Sequence, residues 1–221
     1  MTLVKICGLK NAEMVRISIA ANADFIGFVF VEKSPRFIRI AEAQPLIEIC
    51  RNAGVKTVGL WQGAGSLPLE DVTSSGIDIL QAHGTDPGLV NLTTWYAMGV
   101  SAAEDLPKDI LPYDQLLFDA KPPKGAAIEG GHGARFDWTI LRAYQAKQPW
   151  MLAGGLTPQN VAEAIQISGA RAVDVSSGVE RVKGEKDAGL IQDFIQAAKA
   201  ADKYSGFQVG CFNPRREHPR R

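Results

Sequence analysis

Along this chain, short runs of apolar residues alternate with longer segments in which apolar positions recur every three or four residues. The short runs lie at residues 3–6, 25–30, 57–61, 77–82, 100–103, 115–118, 150–153 and 172–175 and are apolar on both parities. A strand with two apolar faces is covered on both sides, as in a parallel sheet sheathed by helices. Between the runs, Leu46, Ile47, Ile49 and Cys50 form one helical stripe, and Val161, Ala164 and Ile165 form another. Leu190, Ile191, Phe194, Ile195 and Ala198 give the last helix its buried face. Thr157 before Pro158 predicts an N-cap followed by proline at the first helical position. The weakest unit is the fifth, where residues 104–109 leave room for only one turn of helix.

Eight strands and seven or eight helices in about 200 residues predict an α/β fold, a single (β/α)8 TIM barrel. The barrel is expected over residues 1–204. A doubly wound open sheet competes, but it usually carries several glycines after its first strand, where Cys7-Gly8-Leu9-Lys10 has one. After Tyr204 the pattern stops. Residues 205–221 are basic and rich in glycine and proline, and predict a disordered tail.

Composition narrows the function classes. Lys+Arg and Asp+Glu are both 24, so no bulk charge favours nucleic acid or an acidic membrane, and neither is expected as a partner. No apolar segment approaches the ~20 residues of a membrane span, and the N-terminus carries no signal-peptide pattern. The three cysteines form no CxxC pair. That argues against a disulfide framework or a structural zinc site, and for a reducing cytoplasm; no metal is expected. The oligomeric expectation is a monomer or a homodimer.

In a barrel of parallel strands, the C-terminal strand ends open on one face, where sites are built. The runs end on Cys7, Gln62, His83, Asp119, Gly154-Gly155 and Asp174-Ser176-Ser177-Gly178, which that geometry gathers above an interior expected to be apolar. Cys7 and Asp119 pair as a thiol base and a carboxyl acid facing one site, against the plainer readings of a small buried hydrophobe and a salt-bridge partner of Lys121. Lys5, two residues before Cys7, points to the same side of the strand. The glycine loops after the seventh and eighth runs (Gly154, Gly155; Ser176, Ser177, Gly178) predict a phosphate cradle, against tight turns alone. Residues 120–135, rich in Gly, Pro and Lys, are expected to close over the site. His83 either bonds the substrate or braces the rim. Arg36 either clamps a carboxylate or is an ordinary surface charge. Phe136 and Trp138 are expected to anchor the sixth helix.

Taken in order, these strings resemble the phosphoribosylanthranilate isomerases of tryptophan biosynthesis. The resemblance rests on Lys5-Ile6-Cys7-Gly8, Gly27-Phe28-Val29-Phe30 with Lys33-Ser34-Pro35-Arg36, and Gln81 with His83-Gly84. It continues through Phe118-Asp119-Ala120-Lys121, Gly130-Gly131-His132-Gly133 with Phe136-Asp137-Trp138, Leu152-Ala153-Gly154-Gly155-Leu156, and Val173 through Glu180. The chain departs from the family at Ala82, where leucine is usual, and at Thr85-Asp86 in place of an acidic pair.

The resemblance implies an aldose–ketose (Amadori) isomerisation of a small phosphorylated substrate without cofactor or metal. It makes Asp119 the general acid and Cys7 the general base, and gives the anthranilate carboxylate to Arg36. His83 and Asp174 join the substrate-binding set, and Gly154, Gly155, Ser176, Ser177 and Gly178 hold the phosphate. Two rivals remain: a related sugar-phosphate barrel such as the histidine-pathway isomerase, and an inactive phosphate-binding barrel. The first should carry aspartates at both acid–base positions; the second needs neither Cys7 nor Asp119.

Overall fold

The structure, a computed structural model, describes residues 1–62, 69–84, 86, 88, 90–121 and 135–201. Eight parallel strands close into a barrel in chain order: β1 (Leu3–Cys7), β2 (Phe25–Val29), β3 (Lys56–Gln62), β4 (Ile79–His83), β5 (Thr93–Val100), β6 (Gln115–Ala120), β7 (Trp150–Leu152) and β8 (Ala172–Val175). β8 pairs back onto β1 with Val4 opposite Val173 and Lys5 opposite Asp174. The predicted (β/α)8 barrel is the observed fold. A short antiparallel pair, β9 (Glu180–Val182) and β10 (Glu185–Lys186), follows the barrel.

The helices are α1 (Ala12–Ala20), α2 (Ile40–Asn52), α3 (Leu69–Ser74), α4 (Thr139–Arg142), α5 (Val161–Ser168) and α6 (Ala188–Ala201). Their buried faces follow the apolar stripes: Leu46, Ile47 and Cys50 on α2, Val161, Ala164 and Ile165 on α5, and Ile191, Phe194, Ile195 and Ala198 on α6. Trp138 is buried immediately before α4, with Phe136 packed beside the same core, as expected of anchors. No described helix is long and apolar enough to cross a membrane.

Three expectations are corrected. The fifth strand is Thr93–Val100 rather than 100–103. Thr93 and Thr94 interrupt the apolar run, yet β-branched and aromatic residues suit a pleated surface, and Trp95 and Ala97 are buried there. The helix count falls short among the described residues, since only a 3-10 turn, Ala103–Asp105, stands between β5 and β6. α5 begins at Val161 rather than Pro158, because Thr157 opens a turn whose carbonyl accepts from the Asn160 and Val161 N–H groups. Asn160 stands at the N-cap position, and its Oδ1 accepts from Thr157 N at 2.8 Å, closing the turn rather than capping the helix. The predicted tail, residues 205–221, lies outside the described residues.

Two apolar clusters result. One lies between strands and helices, where Phe30 and Trp61 pack with ring centroids 4.5 Å apart. Ala82 sits beside Trp61 in the β3–β4 register, so the indole occupies space next to the position where the family carries leucine. The other cluster fills the barrel, with Val58, Ile79, Trp95, Leu117, Met151 and Ala172 packed together with Leu3 and Phe25. The expectation of an apolar interior does not hold throughout. Lys5 and Asp174 point inward, buried and paired.

Candidate active site

Cys7 closes β1, His83 closes β4, Asp119 lies one residue before the end of β6, and Ser176 directly follows β8. All four line one cavity at the C-terminal mouth, together with Arg36, Gln62, Gln81, Leu117 and Asp174. The thiol and the carboxyl paired from sequence therefore face a common space.

Cys7 is 3 % exposed. A Cβ at residue 27 would lie 2.9 Å from its Sγ, so Gly27 on the neighbouring strand is what lets the sulfur pack there. Lys5 sits two residues back on the same strand face, fully buried, with Nζ 3.0 Å from Asp174 Oδ1. Burial pushes the Cys7 thiol up, the ammonium of Lys5 pulls it down, and the Asp174 carboxylate pushes it up again; the thiol titrates above its ordinary value. For Lys5, burial works against the charge. The Asp174 carboxylate and the Cys7 sulfur outweigh it, and the ammonium holds its proton more firmly than usual.

Asp119 is half-buried, and its Oδ1 accepts from Ala120 N at 2.8 Å. Lys121 pairs with Asp105, so the reading of Asp119 as a salt-bridge partner of Lys121 is not what the fold builds. Gly154, after β7, presses against this carboxyl. A Cβ there would sit 2.6 Å from Ala120 N and 2.9 Å from Asp119 Oδ1, and the backbone has φ +87°, where a side chain is strained. Most of the loop expected to close over Asp119, residues 122–134, lies outside the described residues.

The two glycine loops meet. A Cβ on Gly178 would fall 1.8 Å from the carbonyl oxygen of Leu156, so the loop after β8 packs backbone to backbone on the loop after β7. Asn160 stiffens the latter by donating to Gly155 O at 2.9 Å. Gly154, Gly155, Ser176, Ser177 and Gly178 are all half-buried along this joint. Ser176 Oγ donates to Cys7 O at 3.1 Å, tying the loop after β8 to the end of β1.

Arg36 is no ordinary surface charge. It is buried, and its fork donates to Glu180 twice, Nε to Oε1 at 2.7 Å and Nη2 to Oε2 at 2.9 Å. Lys186 completes the cluster, with Nζ 2.9 Å from Glu180 Oε1, 2.8 Å from Ser176 O and 3.2 Å from Ser176 Oγ. Glu180 loses solvation, but the Arg36 fork and Lys186 overcome this and bring its carboxyl down to about 2. Sequence reasoning missed both partners as site residues. Glu180 ended a string quoted for resemblance alone, and Lys186 stood in no motif.

His83 is 4 % exposed, and burial, aided by the Lys5 charge, lowers its imidazole to about 4. It therefore faces the cavity neutral at pH 7. Gln81 lies one step deeper on the same strand face, with its Oε1 buried and unbonded among the described residues. The Gln81/His83 spacing was the signal that could have brought it into the site. Among the described residues no cluster of His, Cys, Asp and Glu is arranged to hold a metal ion.

The sequence profile of N-(5'phosphoribosyl)anthranilate (PRA) isomerase matches residues 4–197. The N-(5'-phosphoribosyl)anthranilate isomerase of Hyphomonas neptunium is 45 % identical over 214 residues, covering 92 % of this chain and 100 % of its own. A crystal structure of phosphoribosyl anthranilate isomerase in complex with reduced 1-(o-carboxyphenylamino)-1-deoxyribulose 5-phosphate superposes with a TM-score of 0.74. It is 30 % identical, over 90 % of this chain and 100 % of that one. Monomers generated from the dimeric isomerase of Thermotoga maritima give 0.73 at 32 % identity, with 90 % and 100 % coverage.

Proposed function

From the premise that this chain belongs to the N-(5'-phosphoribosyl)anthranilate isomerase family, we propose how its own residues carry out the rearrangement. The activity is that of a PRA isomerase in tryptophan biosynthesis: N-(5'-phosphoribosyl)anthranilate becomes 1-(2-carboxyphenylamino)-1-deoxyribulose 5-phosphate. One observation carries the assignment of roles. Cys7 and Asp119, from strands far apart in the chain, line the same cavity beside the paired glycine loops.

Asp119 acts as general acid. It gives its proton to the furanose ring oxygen, the C1–O bond breaks, and the anthranilate nitrogen supplies the electron pair of the resulting iminium. Cys7 acts as general base and takes the proton from C2. The C2–H electrons form the enolamine double bond and neutralise the iminium, and tautomerisation gives the ketone. Such proton transfers are typically each worth ~10²–10⁴ in rate. The iminium is its own electron sink, so the scheme calls on no cofactor.

Around these two groups the ligand is held by charge and backbone. Gly154, Gly155, Ser176, Ser177 and Gly178 offer N–H groups to the phosphate at the joint of the two loops. Arg36 supplies the positive charge for the anthranilate carboxylate, in an orientation set by Glu180. His83, neutral, bonds the substrate as a hydrogen-bonding rather than a charged group. Asp174 gives Oδ1 to Lys5 and faces the cavity, where its Oδ2 accepts from a sugar hydroxyl. A cytoplasmic location suits this substrate. The test is complementation: a tryptophan auxotroph lacking this isomerase should grow on minimal medium when it expresses the chain. Failure of soluble, folded protein to support growth removes the assignment.

A further inference from the structure

Lys5 is the least expected side chain in the barrel. The barrel interior holds Val58, Ile79, Met151 and Ala172, and an ammonium buried with such groups carries a heavy desolvation penalty. One donor goes to Asp174 at 3.0 Å. The strand register explains the placement, because Lys5 and Asp174 are direct partners across β1 and β8, and Cys7 is next on the inward face of β1. The sulfur is hemmed in by Gly27 on its other side.

We propose that Lys5 is a positioning residue for the proton transfer: its ammonium, clamped by Asp174, serves as the counter-ion of the Cys7 thiolate. The inference rests on Cys7 being the base. Lys5 keeps its proton throughout; the proton from C2 goes to sulfur. Asp174 fixes the ammonium in place and, by its own negative charge, keeps the thiol from ionising too readily. A thiolate that is too stable is a weak base.

The other charges around the sulfur do not substitute. Lys186, from β10, has its Nζ committed to Ser176 O, Ser176 Oγ and Glu180. Arg36, after β2, is bound in a fork to Glu180. His83 on β4 is neutral near pH 7, and Asp119 on β6 lines the same cavity as an acid. Lys5 stands two residues before Cys7 on the same strand face, with its Nζ held by Asp174 Oδ1 at 3.0 Å.

The test is the ionisation of Cys7, read on the full chain as ultraviolet thiolate absorbance against pH, taken as the difference from Cys7→Ser. Lys5→Met should raise the midpoint by roughly one pH unit or more and lower kcat about tenfold, with KM little changed. Asp174→Asn should move the midpoint the other way. A merely structural role predicts no such opposed shifts. If Lys5→Met does not fold, the double variant with Asp174→Asn removes both charges, and its midpoint should lie above that of Asp174→Asn alone. Equal midpoints in those two proteins, or an unmoved midpoint in Lys5→Met, overturn the inference. Normal turnover in Cys7→Ser would instead sink the base assignment while leaving the measured charge coupling intact.

Discussion

Cys7 and Asp119 could be found in the sequence because each ends an apolar run, and a parallel barrel sends every such end to one face. Lys5 was half legible. Strand parity puts it on the side of Cys7, but its partner Asp174 is 169 residues away, and only barrel closure brings them together. Glu180 and Lys186 were not legible as site residues, since a two-stranded ribbon of charged residues looks like solvated surface until Arg36 is seen bound to it. For His83 both readings, substrate contact and rim brace, place a buried imidazole at the cavity. Its lowered value of about 4 means that the folded protein holds a neutral imidazole where the unfolded chain would gain a proton. Any stability tied to this shift is present above pH 6.5 and drains away as pH falls toward 4. The imidazole resonances of His83 should accordingly stay flat between pH 5 and 8 in a pH series of NMR spectra (about the window in which an unperturbed histidine titrates). A titration midpoint near 6.5 would show that the ring is solvated and that the rim description is wrong.

Among the elements, those with one strong period were read well. α5 and α6 bury the predicted stripes because tertiary packing and local amphipathicity agree there. β5 was displaced because two threonines mask a strand whose aromatic residues pack inward and outward in turn. α5 started late because Thr157 to Asn160 form a turn, closed by the Asn160 and Val161 N–H groups on Thr157 O, ahead of the helix. The two glycine loops pack most tightly where they meet. With only 1.8 Å between a Cβ on residue 178 and the Leu156 carbonyl, Gly178→Ala must push the two glycine loops apart. The expected cost is about 1–3 kcal/mol of stability, as for other overpacked sites. The joint at which the phosphate is proposed to sit would open at the same time. Thermal unfolding and steady-state kinetics would register both, as a lower Tm and a KM raised about tenfold or more, with kcat less affected. An alanine variant with unchanged Tm and KM would mean that the loops do not form a shared cradle.

At the scale of the whole molecule, the barrel divides its labour. An apolar cluster fills much of the barrel, with Phe25 and Trp95 edge to face at 4.9 Å. The buried Lys5–Asp174 pair gives the interior a charge structure, and Cys7, Asp119 and His83 line the cavity at the mouth. With binding proposed for backbone groups and Arg36, and proton transfer for two side chains, the two functions should separate on mutation. Steady-state kinetics of Cys7→Ser and Asp119→Asn on freshly generated N-(5'-phosphoribosyl)anthranilate read that separation without an intermediary. In each variant kcat should fall by ~10² or more, with KM within about an order of magnitude of the parent. Turnover close to that of the parent in either variant would contradict the division, and would take that residue out of the proton-transfer step.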